Sequence, residues 1–279
     1  MNKAVGLVAC LLASGVGAQE QDFITNMETL PTPAVTPYAA APAQHDVLVF
    51  YTTAAASGIS SKVQTYVNNT NSYYGLSSVN VHMNLLATLP SPVQESGSGM
   101  PDTLTAFRQN AEVRSLRAQY GADMVVLIST DSGGWCGYAY LWFQTINGVT
   151  NTDAYAVVRS SCNSITFAHE CGHLGGLSHN IENDNGPPMY VYGRGYRVCA
   201  ADGFRTIMSY ACPSVSTPQL TTFSSPSIMY GPYPTGVPDS KDAARALNDS
   251  AVRVSTYMKA VVTPPTTAPQ PPVNIVIGE

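Results

Sequence analysis

Charge is scarce in this sequence. Lys and Arg number 13 against 18 Asp and Glu, together 11% of residues, and the net charge is −5. That balance gives no reason to expect nucleic acid or an anionic membrane as a partner. Long apolar runs are missing too: the first, Ala4–Leu12, is too short to cross a bilayer, so no transmembrane anchor is expected. Histidine is rare, with five in all. Residues 19–45 contain no cysteine, which excludes a thiolate from that segment as a blocking metal ligand. No internal repeat is present.

What is there begins with Lys3, the apolar Ala4–Leu12, and Val16-Gly17-Ala18 before Gln19. This reads as a secretory signal peptide over residues 1–18. Cys10 ends a lipoprotein-like string, but the region before it is very short, and export without lipidation is the expectation. Pro31, Pro33, Pro37 and Pro42 make residues 19–45 an extended pro-segment or linker. One folded domain over 46–262 and a proline-rich tail over 263–279 complete the layout. Five cysteines remain after the leader: Cys136, Cys162, Cys171, Cys199 and Cys212. An exported chain can keep disulfides. The preferred pairs are Cys136–Cys162 and Cys199–Cys212, each closing a loop beside the histidine-rich stretch, although sequence leaves connectivity open. Cys171 would then be a small buried side chain.

Along the domain, Asp46–Thr52 and Ala122–Ser129 are compact apolar, β-branched runs that predict buried strands, and Val79–Leu86 alternates as a strand should. Between them, residues 58–74 and 102–120 carry helical periodicity. Strand–helix–strand–helix–strand order implies right-handed crossovers and a largely parallel sheet in an α/β (α+β) fold. Gly137, Tyr138, Ala139, Tyr140 and Leu141 alternate small and aromatic residues. They suit either an edge strand that pairs with an extended peptide or a plain hairpin strand. Ala154–Arg159 is a further short strand, Asn163 or Ser164 can cap a helix beginning near Ile165, residues 213–238 read as loop, and Asp239–Lys259 as an amphipathic helix.

The chemistry sits in His169-Glu170-Cys171-Gly172-His173-Leu174-Gly175-Gly176-Leu177-Ser178-His179. Residues four apart on a helix share a face, so His169 and His173 can aim at one point. Gly176 can adopt the left-handed conformation that ends a helix and returns His179 as a third nitrogen ligand. Three protein ligands around zinc mark a catalytic site. Glu170, beside the ligand face, is placed to act as general base.

The motif H-E-x-x-H-x-x-G-x-x-H, with Ile207-Met208-Ser209-Tyr210 downstream, resembles the metzincin zinc endopeptidases. The resemblance implies His169, His173 and His179 as ligands of one catalytic zinc and Glu170 as base. It implies Gly176 as the turn, Met208 in a Met-turn, and Tyr210 as a residue near zinc that hydrogen-bonds the oxyanion. From Asp46 to Met258 the order of segments is similar to reprolysin-like (adamalysin-type) secreted proteases. It implies a five-stranded sheet with an antiparallel edge strand at Gly137–Leu141 that binds substrate. It also implies an active-site helix and, after about residue 179, a smaller irregular lower subdomain (180–262) ending in a helix. The pocket for the residue after the scissile bond is expected between the motif helix and the Met-turn region, including residues near 211–218. Asn180 stands where reprolysins usually have aspartate, and calcium is compatible with the resemblance but not derivable from the residues. The expected protein is a secreted or periplasmic monomer acting on proteins or peptides. The alternatives are a secreted binding or virulence factor on the same fold, or a zinc hydrolase of non-peptide amides.

Overall fold

The computed structural model describes residues 41–131, 134–141, 153–184 and 186–258. The expected signal peptide, residues 19–40 and the tail over 263–279 lie outside them. Three strands form the centre of the sheet: β1 (Ala43–Tyr51), buried over Val47–Phe50, β3 (Met124–Ser129), buried throughout, and β5 (Tyr155–Arg159), buried except at Arg159. Their side chains alternate between two apolar clusters: Val47, Val49, Val126 and Ile128 face one, while Leu48, Phe50, Val125 and Leu127 face the other. A sheet covered on both faces needs apolar residues at every position, which is why these strands read as continuous apolar runs.

The sheet order is β2-β1-β3-β5-β4, with β2 spanning Val81–Pro90 and β4 spanning Gly137–Ala139. All neighbouring pairs are parallel except β4–β5. Helix α1 (Ile59–Leu76) carries the chain outward from β1 to β2 across one face, and α2 (Met100–Gln109) with α3 (Ala111–Tyr120) returns it to β3 across the other. Reversing both direction and face keeps the hand of the two crossovers the same. Helix α4 (Ser164–Leu174), which carries the motif, lies over β4 and β5 on the face of α1. Phe167 anchors it there, stacked on Tyr66 with ring centroids 5.5 Å apart.

Beyond His179 the backbone is mostly irregular, with short hairpins β6–β7 (Arg197–Val198, Phe204–Arg205) and β8–β9 (Met229–Tyr230, Tyr233–Pro234). Helix α5 (Ala243–Val254) then packs on β1 and β2, so Leu247 and Val254 share the sheet's own core.

Several boundaries differ from the sequence reading. Strand β1 starts three residues before Asp46, because Ala43, Gln44 and His45 pair with β2. The single helix expected over 102–120 is two. Asn110 is extended (φ −64°, ψ 127°) and its side chain accepts from the backbone N–H groups of Glu112 and Val113, both at 3.0 Å, capping α3. The last helix starts at Ala243 instead of Asp239, because the Asp242 side chain accepts from Arg245 N–H and so caps it. The loop expected over 213–238 contains the β8–β9 hairpin, which Gly231 turns with φ +55°.

The capping bonds make Asn110→Ala a clean test of this break. The variant is expected to lose about 1 kcal/mol of stability, read as a lower urea midpoint with an unchanged slope.

Candidate active site

Helix α4 places His169 and His173 one turn apart, and both are buried. The helix ends where Leu177 N–H bonds to Gly172 O (2.9 Å) and Gly176 takes φ +98°. A side chain at Gly176 would also meet Met189, with an ideal Cβ only 2.7 Å from that residue's Cβ. The reversal brings the third imidazole back: His179 Nε2 lies 3.1 Å from His169 Nε2 and 3.0 Å from His173 Nε2.

Backbone carbonyls set how the rings are used. His169 Nδ1 meets Ile207 O at 2.7 Å, and His173 Nδ1 meets Leu177 O at 3.0 Å. A carbonyl oxygen can only accept, so each Nδ1 carries the proton and each Nε2 presents a lone pair inward. Burial holds both rings neutral: it pushes His169 down to about 4, and burial together with the neighbouring His169 pushes His173 to about 3. His179 is lowered as well, by burial and then by the other two imidazoles. Neutral imidazole lone pairs converging at this spacing can hold a metal ion. The spacing is close to the edge, ~3.3 Å, of a tetrahedral site with zinc–nitrogen bonds of about 2.0–2.1 Å. The donor set therefore fits zinc.

Met208 sits beneath this cluster, fully buried. Ser209 N–H bonds to Thr206 O at 3.0 Å, closing a tight turn around Ile207 and Met208. Gly172 is what lets the thioether approach, since an ideal Cβ there would lie 2.7 Å from Met208 Sδ. Tyr210 follows, its ring 4.5 Å from that of His179, centroid to centroid. Buried Asn180 holds this segment in place: its Oδ1 accepts from Tyr210 N–H at 2.9 Å, and its amide donates to Glu182 (2.7 Å) and Asn183 (3.0 Å). An aspartate here, acceptor-only when ionised, could not make the bond to Glu182.

Glu170 is buried between α4 and the sheet edge. An ideal Cβ on Gly137 would lie 2.2 Å from its Oε1 and 2.6 Å from its carboxyl carbon. Gly137 thus leaves the space that the carboxylate fills. Its strand, β4, is the edge of the sheet, and the pairing with β5 continues to Tyr140, whose N–H bonds to Tyr155 O at 3.1 Å. Tyr138 and Tyr140 face the cluster on the far side, Ala139 faces the α4 side, and Leu141 is buried. Disulfides Cys136–Cys162 and Cys199–Cys212 brace the loops on either side of the site. Cys171 is a free, buried thiol pointing into the core, and burial pushes its pKa up.

Beside His169 and Glu170 lies a cavity of about 360 Å³, walled by the Cys136–Cys162 bridge, the start of α4, Arg205, Ser209 and Gln219. Of these, Arg205 and Gln219 carry no sequence signal of their own. Arg205 stands three residues before the Met208 recognised in the sequence, and only the pairing of β7 turns it to the cavity.

A model of metallo-peptidase family M12, the reprolysin type, matches residues 44–224, which contain every one of these groups. The chain belongs to metallopeptidase family M12. Among similar proteins, a peptidyl-Asp metalloendopeptidase of Stenotrophomonas maltophilia (strain R551-3) is 33% identical over 229 residues, covering 77% of this chain and 53% of that protein. One of Pseudomonas aeruginosa is 30% identical over 246 residues, covering 78% of this chain and 41% of that protein. This chain thus spans about half the length of the curated relatives it matches. In solved structures, a chain of a chaperone–substrate complex superposes with a TM-score of 0.63 at 18% identity, covering 78% of this chain and 36% of that one, a likeness of fold.

Gly137→Ala places a methyl group on the Glu170 carboxylate. Metal content by elemental analysis is expected to stay the same while peptide turnover falls about 10²-fold, the usual cost of a ~1 Å misplacement. Normal turnover would show that Gly137 does not set the position of Glu170.

Proposed function

We propose that this M12 chain is a secreted, monomeric zinc endopeptidase in which His169, His173 and His179 hold one zinc ion and Glu170 carries the proton. The observation that supports this most is the convergence of the imidazole lone pairs beside a carboxylate whose space Gly137 keeps. Zinc, when bound, supplies a Lewis acid that acidifies water and polarises the scissile carbonyl. Glu170 takes a proton from the attacking water as its oxygen bonds to the carbonyl carbon, then gives that proton to the leaving nitrogen as the carbon–nitrogen bond breaks. Tyr210, held over His179 through Asn180, donates its phenol hydrogen to the developing oxyanion. The outer side of β4, the last strand of the sheet among the described residues, offers backbone groups to an extended substrate running antiparallel to it.

The relatives' name places aspartate in their substrates, and we extend that preference to this chain. Secretion is supported by the leader-like residues 1–18 and by two disulfides, which persist in oxidising compartments. No helix among the described residues is long and apolar enough to cross a membrane.

Glu170→Gln separates this mechanism from a fold used only for recognition. The variant is expected to keep its metal and lose 10²- to 10⁴-fold in turnover, as for loss of a general base. His173→Ala is expected to lose the metal itself, seen by elemental analysis. A chain that cleaves nothing in a broad peptide library, with or without chelator, would instead be a binding protein.

A further inference from the structure

We infer that Arg205 is the residue that selects the substrate, receiving the carboxylate of an aspartate that follows the scissile bond. This rests on the endopeptidase reading and adds to it the group that reads the side chain.

The argument starts from an imbalance of charge. Arg205 is half-buried on β7 and lines the cavity beside His169 and Glu170. Its Nη1 donates to Ser209 O at 3.2 Å, and no carboxylate among the described residues pairs with it. Four other partly buried arginines are matched: Arg108 with Asp153, Arg194 with Asp184, Arg197 with Glu182, and Arg245 with Asp239 and Asp249. Arg159 is also in no ion pair among the described residues, but it does not line the cavity. Buried Arg117 donates to backbone carbonyls of its own corner, Ala122 O and Asp123 O. A guanidinium stays charged in proteins and carries five N–H donors. Withdrawn from water, it favours any carboxylate that enters, and its planar fork binds both carboxylate oxygens at once.

Location decides which carboxylate. The cavity is walled by the motif helix at Thr166 and His169 and by the Met-turn at Ser209. The resemblance to metzincins implies the pocket for the residue after the scissile bond there. Cys136 and Cys162 line the same cavity. The lining also includes Glu170, whose carboxylate the mechanism uses, together with hydroxyl and amide groups such as Thr166, Ser209 and Gln219 and the apolar Ile165; it contains no second Arg or Lys. A short acidic side chain satisfies this arginine; an apolar one leaves it without a counter-charge. The relatives' name points the same way, independently of the geometry.

The test is a peptide series differing only after the scissile bond, with Asp, Asn, Glu or Leu there, cleaved by the wild-type chain and by Arg205→Leu and Arg205→Lys. Wild type is expected to favour Asp over Asn by about 10²-fold in kcat/KM, the scale of a desolvated charge pair. Arg205→Leu is expected to bring that ratio close to one with metal content unchanged. Arg205→Lys, which keeps the charge and the fold but loses the fork, is expected to reduce the ratio about tenfold. Binding supplies a second readout: in a Glu170→Gln background the Asp peptide should bind more tightly than the Asn peptide, and adding Arg205→Leu should remove the difference. A wild-type Asp preference that survives both substitutions overturns the assignment, as does a wild-type chain that cuts peptides with no acidic preference. A wild-type chain that cuts no peptide at all overturns the endopeptidase reading itself.

Discussion

Two backbone carbonyls hold the site in register. Ile207 O and Leu177 O each accept from an Nδ1–H, and so turn the Nε2 lone pairs of His169 and His173 toward His179. Imidazole has only two ring nitrogens, so fixing one fixes what the other can do. The remaining architecture keeps those carbonyls where they are. Leu177 belongs to the reversal that Gly176 permits, and Ile207 belongs to the turn whose methionine packs against Gly172. The helix, its terminating glycine and the distant Met208 segment therefore form one mechanical unit.

A second unit joins the sheet edge to that centre. Glu170 fills the space that Gly137 leaves open, and the Cys136–Cys162 bridge ties the start of the edge strand to the entry of the motif helix. The edge strand and the Glu170 carboxylate are thus held against each other. On the other side, Asn180 links the residue after the third histidine to the backbone of Tyr210. This gives a physical reason for an amide where related enzymes carry an acid: one side chain must accept from Tyr210 and also donate to Glu182.

Much of this was legible because it is local. The spacing of His169, His173, Gly176 and His179 expresses helix pitch and a glycine's left-handed turn, both properties of a few consecutive residues. The buried strands β1 and β3 were legible because a sheet covered on both faces demands unbroken apolar runs. The break at Asn110 was not, since asparagine in a polar stretch fits a helix interior or a cap, and the choice is made by packing against the sheet. Asp242 ends the leading stretch of the last helix for a similar reason.

The sequence by itself determined the three converging histidines, the adjacent carboxylate, the turn at Met208 and the cysteines available for pairing, because each depends on residue type and short spacing. Tertiary structure alone decided which groups from distant segments share a space. Gly137 against Glu170, Asn180 under Tyr210, and Arg205 on the cavity wall, in no ion pair among the described residues, are all of that kind. The physical reason is that sterics and electrostatics act through space, between residues far apart in the chain.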